Sequence, residues 1–328
     1  MVPETLAVGQ ATEWRFHSAP ESLGAWGMAR HAHAVPILIA LTGLATFSVM
    51  DGFMKEASIL VGAYAAMALR SVAGTALMLP VWLGRRGRWP AASTIRLHAL
   101  RAVVAGVMAV LFFYGVVRTP LAEGIALSFI APLIALYLAA IWLGEPVGRR
   151  AVGGSLLALM GVGVIVAGKL GGHYSAEGVK GLCAILVSAV LYAWNLVLQR
   201  RQALLAGPEE VAFFQNAVTA LVLLPGLLWV APAPTPAALG WIVTSAALSA
   251  ASLMLMTWAY ARAETRVLVP LEYTAFIWAA IVGWLMFGEA LTLRTLAGVA
   301  LIVAGCLVAV RAGKADAASA GKVPEPAA

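Results

Sequence analysis

Two charged side chains sit where an apolar chain has little reason to keep them. Arg70 falls about twelve residues into the apolar run 58–83. A guanidinium near the bilayer centre costs roughly 2.5 to 3.5 kcal/mol on insertion scales, and its planar fork matches a carboxylate. Glu272 lies inside the run 267–287, the acid set well within the second half of the chain. A carboxylate there suits a substrate ammonium, or a proton carried through a cycle. Both have plainer readings, because Arg70 can pair with Asp51 or Glu272 or reach for the interface, and Glu272 can be a polar helix contact. Asp51 stands four residues before Lys55, a spacing that explains the two as an i, i+4 ion pair. Around these charges Asn195 and Gln215 are polar enough to face a cavity. Tyr192 and Trp194 lie beside Asn195 as apolar walls, while Tyr114 falls near the outer end of the run 97–117 and Trp258 near the inner end of the run 237–261. They read either as opposing gates or as the aromatic belt found at membrane interfaces.

The elements that must hold these residues are membrane helices. Of 328 residues 62% are hydrophobic and 11% charged, with a mean hydropathy of +0.90, far from the composition of a soluble domain. A helix rises about 1.5 Å per residue, so roughly 20 apolar residues cross a hydrocarbon core. Ten segments qualify: 35–54, 58–83, 97–117, 121–143, 149–168, 178–200, 210–231, 237–261, 267–287 and 293–311. The fold class is therefore all-α, a polytopic membrane protein.

The chain repeats itself. A shift of 144 positions lays residues 118–150 on 262–294 without a gap. Arg118 meets Arg262, and Gly144-Glu145 meets Gly288-Glu289. Asp51 falls on Asn195, Lys55 on Gln199 and Tyr114 on Trp258. Self-similarity at one long period marks a duplicated unit. Five spans per unit is an odd number, so the second unit enters from the opposite face, which gives ten transmembrane helices in two inverted five-helix repeats. Such repeats place a substrate site at mid-membrane between the halves. Gly154 with Gly161, and Gly298 with Gly305, lie on one face of the fifth and tenth spans, where small residues let helices approach. They pack either within one chain or between the two chains of a homodimer.

Positive charge sets the orientation. With both termini cytoplasmic, sixteen Lys and Arg fall inside, Arg96 and Arg101 among them. Five fall outside: Lys55, Arg118, Lys169, Lys180 and Arg294. That asymmetry puts both ends in the cytoplasm. The net charge of +7 is then topology, and nucleic acid is not an expected partner. The start of the chain lacks the pattern of a cleaved signal peptide. Residues 1–34 and 313–328 read as cytoplasmic tails around repeats 35–168 and 178–312.

Ten spans in two halves resemble the drug/metabolite transporter superfamily, and within it the EamA family. The likeness is carried by Asp51, Gly52 and Lys55 ending the first span, and by Gly144-Glu145-Pro146 and Gly288-Glu289-Ala290 closing the fourth and ninth. Ala290 departs from the proline of the first copy. The resemblance implies export of amino acids and other small metabolites across the inner membrane.

Other chemistries lack their residues. There is no Gly-rich phosphate loop followed by Lys-Ser or Lys-Thr and no nucleophile with a base, so an enzyme is not expected and no cofactor is required. His31 and His33 are too few for a metal site. Cys183 and Cys306 read as small buried packing residues. Pro132 and Pro270 interrupt helical hydrogen bonding, where backbone can bend toward substrate. The expectation is a secondary transporter of amino acids or similar zwitterions working by alternating access, with Arg70, Glu272, Asn195, Gln215, Tyr192, Trp194, Tyr114 and Trp258 at its site and protons as a candidate coupling ion. A carrier of nucleotide derivatives, organic anions or drugs is the alternative. A channel or an integral membrane enzyme stands further off.

Overall fold

The structure is a computed structural model that describes residues 24–84, 89–131, 133–134, 137, 149–170, 176–230, 234–263, 268 and 271–320. The chain divides into two units, Met1–Val35 and Pro36–Ala328. Of the first, only helical backbone from residue 24 onward is described; the account below concerns the second.

Among the described residues the chain is all helix. The elements are α1 (Gly24–Val61), α2 (Ala63–Gly84), α3 (Ala92–Val116), α4 (Leu121–Ser128), α5 (Arg149–Leu170), α6 (Ala176–Leu205), α7 (Pro208–Val230), α8 (Pro236–Arg262), α9 (Ala275–Phe287) and α10 (Leu293–Ala320). Among the described residues, six stretches are long and apolar enough to cross a membrane: Ala34–Val61, Ala63–Gly84, Ala92–Val116, Ala176–Leu205, Pro208–Leu227 and Pro236–Arg262. Shorter apolar helices run over Val152–Ile165, Ala275–Phe287 and Leu293–Val308.

Polarity is arranged inside out relative to a soluble domain. Leu156, Leu221, Trp284 and Leu285 project outward, while Asp51, Arg70, Arg101, Asn195 and Glu272 are buried. An apolar exterior suits hydrocarbon, and polar groups withdrawn from lipid must find partners or water within the bundle.

Turn chemistry explains three departures from the expected spans. The first two helices are joined by Gly62 alone, whose φ of 84° is left-handed, a conformation glycine adopts without a Cβ clash. α1 therefore runs to Val61, and Lys55 lies inside the helix instead of in an outer loop. Arg101, expected among the inner positive charges, is likewise buried within α3 at 3% exposure. The fourth and ninth spans, expected to be continuous, both break. Phe129 N and Ile130 N bond to carbonyls three residues back, at 3.2 and 3.4 Å, and Thr274 N and Ile277 N do the same at 2.9 and 3.0 Å. Phe129 and Tyr273 are 144 residues apart, so both copies bend at one register. Pro132 and Pro270 lie outside the described residues. Carbonyls at the breaks are capped by side chains: Cys306 Sγ donates to Phe129 O at 3.2 Å, Thr274 Oγ1 to Leu271 O at 2.6 Å, and Ser48 Oγ to Ala275 O at 3.4 Å.

The glycine faces meet within the chain, and α5 with α10 forms the most extensive helix pair. A Cβ at Gly161 would stand 2.5 Å from Gly298 O and 2.8 Å from Ile302 N. Neither is a side chain that could swing away. Gly161→Leu is expected to abolish most of the folded, monodisperse protein recovered in detergent. Gly163→Leu is expected to be tolerated, because nothing lies within 4 Å of a Cβ there. Size-exclusion chromatography of tagged protein reads both; equal recovery of the two variants would contradict the backbone contact.

Candidate functional site

Helices α1, α2, α3, α4, α6, α7 and α8, with the broken segment before α9, line a cavity of two adjoining lobes, about 120 and 150 Å³ in volume. Leu44, Phe47, Met108, Phe113, Tyr192 and Glu272 line both lobes. The smaller lobe adds Asp51 and the rings of Phe112, Phe129 and Tyr273. The larger adds Arg70, Arg101, Asn195 and Gln215, with Met50, Met67 and Met256 in its wall.

Arg70 comes from the middle of α2. Its Nη1 donates to Ser249 Oγ at 2.7 Å, and its terminal nitrogens touch Met50 Sδ and Met67 Sδ. Nε is buried and has no partner among the described residues. Asp51 is within electrostatic range, but no ion pair joins Arg70 to Asp51 or to Glu272. A guanidinium held by a hydroxyl and two thioethers keeps donors available for an anion.

Glu272 lies just before the bend at Tyr273. Tyr192 OH donates to its Oε2 at 3.1 Å, and Tyr260 OH donates to Oε1. Hydroxyls orient the carboxylate without neutralising it.

Asp51 differs from its expected role. Lys55 makes no ion pair with it. Lys55 Nζ instead donates to Thr119 O at 2.9 Å and forms a half-buried ion pair with Glu289, over the Phe287 ring. The i, i+4 reading fails because Glu289 arrives from another helix. Gly288 caps α9 with a left-handed φ of 64°, its N–H bonds Trp284 O, and Glu289 N bonds Gly283 O. This left-handed cap turns the Glu289 carboxylate toward Lys55 and onto Leu121 N at 2.8 Å. The Gly-Glu pair thus has a physical job, capping a helix and aiming an acid. Its copy, Gly144-Glu145, lies outside the described residues. Asp51 is left facing the cavity with no hydrogen bond or ion pair among the described residues.

Arg101 was missed as a site residue because its place in the spacing resembled a loop charge. Its Nε donates to Asn195 Oδ1 at 3.1 Å and its Nη1 to Gln202 Oε1. A guanidinium only donates, so Gln202 must present its amide oxygen there and its NH₂ to His98 Nδ1, to which it is bonded. Nδ1 then accepts, and the His98 proton sits on Nε2, facing Glu210 Oε1 at 3.0 Å. A polar chain therefore runs from Glu210 at the start of α7 to the cavity. The signal in the sequence was an Arg four residues inside the run 97–117.

The remaining expected residues divide. Gln215 lines the larger lobe and bonds Thr219 Oγ1 at 3.4 Å. Tyr114, Trp194 and Trp258 do not line either lobe. Tyr114 carries the Arg118 guanidinium 3.8 Å above its ring, and Trp258 carries that of Arg262 at 4.1 Å. Each Arg also donates to the carbonyl of its own aromatic residue, at 2.9 and 3.3 Å. The two pairs are 144 residues apart, one device used at the ends of α3 and α8. Cys306 is buried, as expected, whereas Cys183 is exposed, against the expectation of a buried packing residue.

Membrane-length helices around a cavity of charged anchors and apolar walls are the frame of a solute transporter. The EamA-like transporter family matches residues 34–167 and 179–311, and the chain belongs to that family. It is 28% identical over 281 residues to the pseudopaline exporter CntI of Pseudomonas aeruginosa, covering 85% of this chain and 96% of the relative. It is 24% identical to an uncharacterized transporter of Helicobacter pylori, over 81% of this chain and 91% of that one. A riboflavin transporter of Rhizobium johnstonii is 27% identical over 65% of this chain and 70% of its own length. One crystal structure superposes with a TM-score of 0.57 at 21% identity, covering 87% of this chain and 98% of that chain, a likeness of fold. The protein is a multi-pass membrane transporter and not an enzyme.

Proposed function

We propose that the protein is a secondary transporter of the inner membrane that exports small zwitterionic metabolites, amino acids first among them, by alternating access. Its ten spans form two inverted repeats, 35–168 and 178–312, with both termini cytoplasmic. The observation that carries the reading is the cavity, in which Arg70 has no direct carboxylate partner and Glu272 has only hydroxyl partners. Arg70 takes the substrate carboxylate, and Glu272 with Asp51 takes the ammonium. Asn195 and Gln215 complete the polar lining and Tyr192 the wall, while Tyr114, Trp194 and Trp258 act outside the cavity, the first and last as the ends that open and close.

Counterflow tests this. Proteoliposomes preloaded with unlabelled amino acids should accumulate labelled ones until the gradient runs down, and the flux should saturate. Flux that neither saturates nor exchanges would identify a channel. A second reading, an aromatic heterocyclic substrate, is favoured by the rings of Phe112, Phe113, Phe129 and Tyr273 around the smaller lobe and by the riboflavin transporter among the relatives. Pseudopaline and riboflavin therefore belong in the same panel.

Glu272 is also the proposed proton carrier. Glu272→Gln is expected to remove acceleration by an imposed pH gradient while leaving measurable exchange at equal pH. A variant still driven by the gradient as strongly as the parent assigns the proton elsewhere.

A further inference from the structure

The cavity holds more positive charge than a single carboxylate uses. Arg101 is as deeply buried as Arg70 and lines the same lobe. Its Nε and Nη1 are fixed by two amide oxygens, and Nη2 has no acceptor among the described residues. Neutral acceptors orient a guanidinium without cancelling its charge. The backing is itself fixed, since Gln202 is buttressed by His98 and His98 by Glu210. Asp51, on the far lobe, is a buried acid with no hydrogen bond or ion pair among the described residues. Gln215 Oε1 and Arg70 Nε are buried without partners among the described residues as well. Buried groups of this kind are expected to be hydrogen-bonded, and these line one space.

We infer that Arg101 is a second anion-binding position in the cavity, so that the preferred substrate carries two carboxylates together with at least one ammonium. Arg70 holds one carboxylate and Arg101 the other. Asp51 and Glu272 face the ammonium or ammoniums, and the methionine and phenylalanine walls cover the carbon skeleton. A monocarboxylate amino acid leaves Arg101 desolvated and uncompensated, which penalises its binding. The inference rests on the transport reading above for the cavity's purpose, but it makes a separate claim about which ligands bind.

Two substrate pairs isolate the second carboxylate: glutamate against its near-isostere glutamine, and meso-diaminopimelate against lysine. Purified protein in detergent is titrated calorimetrically with each, and the same four compounds are used in counterflow. The expected result is that the second carboxylate tightens binding at least about tenfold in both pairs, and that Arg101→Gln brings the ratios close to one. Arg101→Lys, which keeps charge without the fork, should retain part of the preference. Glutamine binding as tightly as glutamate overturns the inference, as does a preference that survives Arg101→Gln. If that variant does not fold, the wild-type ratios decide alone. Diacid-selective binding without counterflow supports the site and refutes the transport reading. Counterflow of the monocarboxylates with no diacid preference does the reverse, and binding of none of the four overturns both.

Discussion

Arg70→Ala is expected to lower exchange of carboxylate substrates about a hundredfold or more while folded protein stays in the membrane. Charge-assisted hydrogen bonds contribute about 1.5 to 3 kcal/mol each, and every 1.4 kcal/mol is about tenfold. Two such bonds to one carboxylate account for the loss. The hydrogen-bond partners of Arg70 are a serine hydroxyl and two thioethers, and the acid in electrostatic range, Asp51, makes no direct ion pair with it. Removal should therefore spare the fold more than removal of a paired arginine would. Arg70→Lys keeps the charge and loses the bidentate geometry, so an intermediate loss is expected. Initial counterflow rates, with size-exclusion profiles of the same preparations, separate the cases. Full exchange by folded Arg70→Ala would place the substrate carboxylate elsewhere.

The other large effect lies at Lys55 and Glu289, which join α1 to the cap of α9. Breaking a fully buried ion pair by removing one partner costs about 3 to 5 kcal/mol, and this half-buried pair, with Glu289 17% exposed, is expected to cost less. Glu289 also accepts from Leu121 N, at the start of α4, so Glu289→Gln loosens three elements at once. Lys55→Met and Glu289→Gln should each lower the thermal midpoint in detergent markedly. The double variant should recover much of the loss, since no lone charge remains. A double-mutant cycle reads the coupling directly. Strict additivity would mean that the pair carries no joint energy.

The helical frame was legible because membrane insertion writes itself into composition: twenty apolar residues have few other uses. The duplicated register was legible for a similar reason, since Gly288 and Glu289 do physical work and are retained with their copies at one offset. The site was harder to read. Arg70 and Glu272 stood out against an apolar background, and the structure places both at the cavity. Arg101 did not, because near the end of a span a buried arginine and a cytoplasmic one have the same spelling. Asp51 and Lys55 misled through spacing: an i, i+4 pair is local, whereas the partner of Lys55 is 234 residues away. Helix rotation, set by packing and not by propensity, decides which polar residue meets the cavity. The same limit applies to Tyr114 and Trp258, whose repeat was visible but whose stacking under Arg118 and Arg262 was not.

The wall of the larger lobe is built in part from Met50, Met67, Met108 and Met256. Unbranched thioethers change rotamer at little expense and present a polarizable surface with no fixed shape. On the transport reading proposed above, charged anchors set the spacing of a ligand's ends, and a pliant lining tolerates variation in everything between them. Such a pocket separates what evolution must keep from what it can alter: exchange of one methionine for a bulkier or smaller neighbour changes the cargo's girth without disturbing the anchors. Divergence in cargo among relatives then needs few substitutions, and breadth of cargo within one protein needs none.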